Sequence, residues 1–304
     1  MNEPINTNLI DEEEYKNFFD DFVHISQLAI NTSKLGDNRF VDKDYKIRYS
    51  CILFTKICTT SQSIKTLCTL QHQSDFNSVF SLTRNIIDCS HMLFYLCFDD
   101  VSQQERDFRY LGLVLYDLND RKELLSLLNK GLGGISDTCL FNIIRQTYDL
   151  YRIDKLIDIF TRKIKSNLFF WKLDDDKKVQ VLNGRYRFIN TTPAKVDKKM
   201  KIISNNCYKS LYKVLSSSVH SLPIVSENMT DGRFGCGVET DGERGLITYA
   251  LFYCMDYLKF STKNIIENIF YEFKESFNQD ELNKLASILE EVKVNHRNDP
   301  DDAI

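Results

Sequence analysis

The stretch Ser81-Leu-Thr-Arg84-Asn-Ile-Ile-Asp88-Cys-Ser-His91-Met-Leu-Phe-Tyr95 contains neither proline nor glycine. Nothing in it interrupts a helix, and its apolar residues recur at helical rather than alternating period. Arg84, Asp88, His91 and Tyr95 are spaced by 4, 3 and 4 positions. At about 100° per residue they fall within a strip about 60° wide on one face of that helix. One helix thus aligns a guanidinium, a carboxylate, an imidazole and a phenol.

The same period extends in both directions. Residues 12–31 place Tyr15, Phe18, Phe19, Phe22 and Ile25 at helical spacing, and Asp42 to about Gln71 does so with Tyr45, Ile52, Ile57, Ile64 and Leu67. The helix carrying Arg84 is expected from about Ser74, a suitable N-cap, to Asp99; the next, capped by Ser102, runs to Lys130 and stops at Gly131, Gly133 and Gly134. Shorter helices are expected over 137–149 and 152–168, and mixed loops and short helix over 170–195. One helix is expected over 194–219, with Tyr208, Leu211, Tyr212, Leu215 and Val219 as its buried stripe. Residues 221–245 hold five of the 11 glycines and read as a loop before two closing helices, about 244–276 and 278–294. With only 4 prolines in 304 residues, the expectation is an all-α multi-helix bundle with a glycine-rich loop before its last two long helices. Residues 1–295 form a single helical domain in this reading, with a subdivision near 131–136 as the second option, and residues 296–304 form a disordered tail.

Nine cysteines are scattered with no CxxC pair, and most sit in apolar helical patterns. They act as small hydrophobes, and neither a disulfide framework nor a metal site is expected; no cofactor is expected either. There is no run of 18 apolar residues and no leader-like N-terminus, so the expectation is a cytoplasmic protein that does not engage a membrane.

The net charge of −4 conceals a strong asymmetry. Residues 143–213 hold 17 Lys/Arg against 7 Asp/Glu, while residues 1–45 and 214–304 are both acidic. Within the basic block Lys177, Lys178, Arg185, Arg187, Lys195, Lys198, Lys199 and Lys201 interleave with Phe169, Phe170, Trp171, Tyr186 and Phe188. Cations for a phosphate backbone and rings for stacking are what a nucleic-acid surface needs. The competing reading is that this charge pairs with the acidic ends, within the chain or in a dimer.

The Arg84–His91 strip suits acid–base work on a phosphate. Cleaving RNA through its own 2′-hydroxyl needs a proton acceptor, a proton donor and positive charge at phosphorus. Histidine titrates near neutrality, arginine binds phosphate oxygens through a planar fork, and Asp88 is placed to orient either. His220, at a helix end after Ser216, Ser217 and Ser218, is the second candidate for proton transfer. The plain alternatives are a solvated helix face for the strip and a C-terminal cap for His220.

Arg84 and His91, separated by six residues within a helical bundle, resemble the motif of the HEPN superfamily. Many of its members are metal-independent ribonucleases of toxin–antitoxin, abortive-infection and RNA-guided defence systems, with a site built where two such helices meet in a dimer. Phe80-Ser-Leu-Thr-Arg84-Asn-Ile-Ile-Asp88 and Tyr212-Lys-Val-Leu-Ser-Ser-Ser-Val-His220-Ser221 further resemble a bacterial family of unknown function, in which a Glu is expected where Asp88 stands. The HEPN resemblance implies a homodimeric, metal-independent endoribonuclease acting on RNA, with Arg84, Asp88 and His91 as catalytic residues, His220 as an outside candidate, and an antitoxin or defence protein as partner; the second resemblance implies an all-helical fold and by itself no activity. The alternative is a non-catalytic helical adaptor or sensor that binds a protein or nucleic acid through its basic block.

Overall fold

The computed structural model describes residues 12–36, 39–40, 44–69, 76–131, 150–185, 187–189, 191–202, 205–219 and 241–293. Among these residues there are eleven α-helices and no strand. In chain order they are α1 (Glu12–Leu35), α2 (Tyr45–Thr69), α3 (Phe76–Leu93), α4 (Gln103–Gly131), α5 (Leu150–Ser166) and α6 (Leu168–Trp171), then α7 (Asp175–Leu182), α8 (Pro193–Met200), α9 (Asn205–Val219), α10 (Asp241–Ile265) and α11 (Gln279–Lys293). The all-α expectation is met, and the Ser102 hydroxyl accepts from the Glu105 N–H at 3.2 Å as an N-cap should. Ser74, the helix expected over 137–149, the turn beyond Gly131, residues 221–240 and the 296–304 tail lie outside the described residues, while residues 241–245, expected as the end of a loop over 221–245, are the first turn of α10.

The chain divides into two compact units, one made of Met1–Phe98 with Ala194–Ile304, the other of Asp99–Pro193. Where the sequence reading takes 1–295 as one domain, the division falls at 98/99 and 193/194.

In the first unit α3 packs on α2, α9 and α10, and α10 also packs on α1 and α11. Phe76, Val79, Phe80, Thr83, Ile86, Ile87 and Ser90 of α3 are all buried. Their steps of 3, 1, 3, 3, 1 and 3 positions keep them in one seam. Two polar contacts set α3 against α10. Cys254 donates its thiol to the Thr83 hydroxyl at 3.2 Å, and the Ser90 and Ser261 hydroxyls meet at 3.0 Å. Both pairs advance seven residues on each helix, so the two helices run parallel. Each helix then ends in a single π-turn, Phe94–Phe98 and Ile266–Phe270.

One expected helix is two. Lys201 adopts φ 55°, a left-handed conformation that ends α8, and its N–H donates to the Asp197 carbonyl at 3.1 Å. That bond closes the last turn of α8 and breaks the helix expected over 194–219.

The second unit buries Phe108, Leu115, Ile164, Phe170, Leu173, Val181 and Ile189. Gly112 admits Ile189 so closely that a Cβ there would lie 2.5 Å from its Cδ1. Arg109, 4% exposed, donates to Asp99 at 2.8 Å and to Glu105 at 2.6 Å. Arg109→Met should leave the Asp99 carboxylate buried without its cation and cost about 3–5 kcal/mol. A thermal unfolding scan monitored by circular dichroism checks it, with Gln103→Ala, on the exposed first turn of α4, as the near-neutral control.

Candidate functional site

The strip on α3 is present, but its members differ in exposure along the helix. Arg84 and Asp88 have side chains 22% and 27% exposed, whereas the His91 side chain has no accessible surface. Tyr95 is also buried.

At the half-exposed end, α9 supplies Tyr212. The Arg84 guanidinium lies over its ring at 4.9 Å and donates to its phenol oxygen at 3.1 Å. That phenol in turn donates to Asp88 at 3.4 Å, and Arg84 Nε stands 3.9 Å from Asp88 Oδ2. Cation, phenol and carboxylate therefore form a closed triangle at the α3–α9 seam.

At the sealed end, His91 Nε2 meets Asp197 Oδ1 of α8 at 3.2 Å. The Tyr257 hydroxyl of α10 donates to the same carboxylate oxygen. The imidazole packs 5.4 Å from the Tyr208 ring and edge-on at 5.7 Å to the Tyr257 ring. Three helices, α8, α9 and α10, thus close over the end of α3. Three polar atoms in this cluster, His91 Nδ1, Asp197 Oδ2 and Tyr208 Oη, are buried without a hydrogen-bond partner among the described residues.

Burial pushes the Tyr208 phenol far above the ordinary tyrosine range, with Tyr212, Asp197 and Asp88 adding to the effect and Arg84 opposing it. Burial does the same to Tyr257, reinforced by the Asp197 carboxylate. A phenol whose pKa is raised on folding holds its proton where the unfolded chain would release it. Its contribution to stability is intact below the ordinary tyrosine value of 10.0 and is lost as pH rises past it.

The other expected site residues divide between the two units. Lys195, Lys198 and Lys199 are exposed on α8, on the side away from buried Val196, Asp197 and Met200; Lys201 is exposed just beyond. Arg185 and Arg187 are exposed in the second unit. His220 lies outside the described residues, as does Tyr186. Among the described residues no group of three His, Cys, Asp or Glu side chains is arranged to hold a metal ion, and no helix is long and apolar enough to cross a membrane.

Sequence reasoning missed Asp197 and Tyr257. Asp197 had a signal, because it is the one carboxylate between Asp176 and Glu227. Tyr257 had none, being an aromatic in an apolar helix.

His91→Ala should cost about 3–5 kcal/mol, since it empties a ring-sized space and leaves Asp197 buried with Tyr257 alone. Arg84→Ala should cost about 1–2 kcal/mol, from one hydrogen bond and one cation–ring contact. Urea unfolding monitored by circular dichroism separates the two. Tyr208→Phe should gain about 1 kcal/mol by removing an unpartnered hydroxyl, and it should shrink the loss of thermal midpoint between pH 9 and about 11.

Comparison with known proteins adds a family. Residues 48–234 match the model of DUF5677, a family of unknown function. The match runs from α2 through α9 and takes in Arg84, Asp88, His91, Asp197 and Tyr212, while Tyr257 lies beyond it. No curated protein and no solved structure matches the chain. With well over half its length matched, the chain belongs to the DUF5677 family.

Proposed function

We propose that the protein is a non-catalytic helical binding module that holds nucleic acid through the lysine face of α8. The observation that carries this is the double role of that short helix. Its inner side gives Asp197 to a histidine with no accessible surface, and its outer side presents Lys195, Lys198 and Lys199, followed by Lys201. Eight residues are too few for a helix to persist by itself. The buried His91–Asp197–Tyr257 contact anchors α8, so the lysines stand at fixed spacing rather than on a mobile tail. Cations displayed at fixed spacing suit a phosphate backbone.

A second reading, a HEPN-type metal-independent endoribonuclease acting as a homodimer in defence or as a toxin, rests on the half-exposed triangle of Arg84, Asp88 and Tyr212. Arg84 would hold the scissile phosphate there. This reading requires His91 to leave its carboxylate during turnover, at a cost the binding reading does not incur.

Two measurements separate the readings. Fluorescence anisotropy with a labelled single-stranded RNA should show that Lys198→Glu with Lys201→Glu weakens binding, and that the slope of log affinity against log salt falls by about 0.7 per lost phosphate contact. Unchanged affinity overturns the binding reading. RNA cleavage that survives EDTA and is lost in Arg84→Ala with the fold intact would establish the enzyme instead.

A further inference from the structure

The chain has one tryptophan, Trp171, and it belongs to the second unit. Trp171 is 62% exposed, and Leu168, three residues earlier on α6, is 61% exposed. The indole is nevertheless fixed. Its N–H donates at 2.9 Å to the Lys165 carbonyl, one of those at the end of α5 that no further turn of that helix can satisfy. Phe170, buried in the core, meets it edge-on at 5.3 Å. The short helix α6 is itself pinned, because Asn167 accepts from the Phe169 N–H at 2.8 Å and donates to the Gln104 carbonyl at 3.0 Å.

The surroundings are cationic. Lys165 lends its backbone to the indole and Lys172 follows it directly. Both are exposed, and neither pairs with a carboxylate among the described residues. Lys178 reaches over the ring at 5.8 Å, near the limit of cation–ring attraction, while bonded to Asp175 at 2.8 Å.

This setting discriminates between the guests a wet indole can take. A bilayer holds tryptophan at headgroup level through ring and N–H together, and here the N–H is already used within the chain. Asp174, Asp175 and Asp176, all exposed, would also be pressed against an anionic lipid surface laid over Lys172. A second copy, paired by a two-fold axis, would set these lysines against their own like charge. A single-stranded nucleic acid meets neither obstacle. It touches at points, its bases offer open faces to a ring, and its phosphates follow cations. A duplex cannot do so, since its bases already stack on one another.

We infer that Trp171 is a stacking platform for one unpaired base of a single-stranded nucleic acid, with Lys165 and Lys172 on the flanking phosphates. This rests on the reading that the chain holds nucleic acid, and it adds a contact in the second unit that the α8 lysines do not supply.

Because Trp171 is the only tryptophan, its emission reports on this ring alone. Titrating the full chain with hexaadenylate should quench that emission without shifting it to the blue. A hexamer of abasic sites, equal in charge, and a long poly(A)·poly(U) duplex should leave it unchanged. In anisotropy with the labelled hexamer, Trp171→Ala should weaken binding roughly tenfold, about the stacking of one base, while Trp171→Phe keeps most of the affinity. Lys165→Glu with Lys172→Glu should weaken binding too and flatten its salt dependence. An unchanged thermal midpoint shows that each variant keeps the fold, and the quenching itself needs no variant. Absence of quenching at saturating hexamer, equal quenching by the abasic strand or the duplex, or full affinity in Trp171→Ala overturns the proposal. So does a blue shift on phosphatidylserine vesicles, or one that grows with protein concentration, where the hexamer does not quench. Binding that Lys198→Glu with Lys201→Glu abolishes while Trp171 stays unquenched overturns the stacking and leaves the α8 reading standing. Quenching that survives those reversals supports the stacking and counts against α8.

Discussion

The Asp197 carboxylate is removed from water and must be met by donors from other helices. A lone carboxylate in an apolar interior costs several kcal/mol, so its burial is tolerable only with His91 of α3 and Tyr257 of α10 in place. This requirement joins three helices at one oxygen. It also sets the rotation of α8 about its own axis. With Asp197 turned inward, the lysines on either side of it in sequence turn outward.

The buried hydroxyl and thiol contacts between α3 and α10 work in the same direction. Thr83 with Cys254 and Ser90 with Ser261 meet at equal seven-residue steps, so a slip by one turn would separate both pairs in the core, although Thr83 would keep its bond to the Val79 carbonyl. Apolar packing supplies most of the favourable free energy but tolerates several registers. These small polar pairs choose one. The cysteines serve this interior too, with burial pushing the Cys254 thiol up to about 12, where it stays protonated and donates.

The functional reading turns on how accessible surface is distributed along α3. Arg84, Asp88 and His91 share a face, yet the face is open at one end and covered at the other. An imidazole with no accessible surface acts on its neighbours by packing and hydrogen bonding, and here it positions a carboxylate. The triangle at the open end is different in kind, because its arginine still meets solvent while held by a ring and a carboxylate. The proposed binding by displayed cations requires no rearrangement of either end.

Helices and their approximate limits were legible in the chain because period, caps and breakers act over a few residues. Ser102 announced α4, and the unbroken helical period of residues 81–95 announced α3. The break after Met200 was not legible, since no glycine or proline marks it; Lys201 takes a left-handed conformation to close a bond with Asp197. The angular position of His91 was also readable, but its burial was not. A helical wheel assigns a residue to a face and carries no information about what covers that face at each height. His91 meets a carboxylate 106 positions away, and Tyr257 joins them from 60 positions further on. Local sequence therefore determined the elements, whereas only tertiary packing decided which titratable groups meet solvent, because exposure depends on contacts between segments remote along the chain.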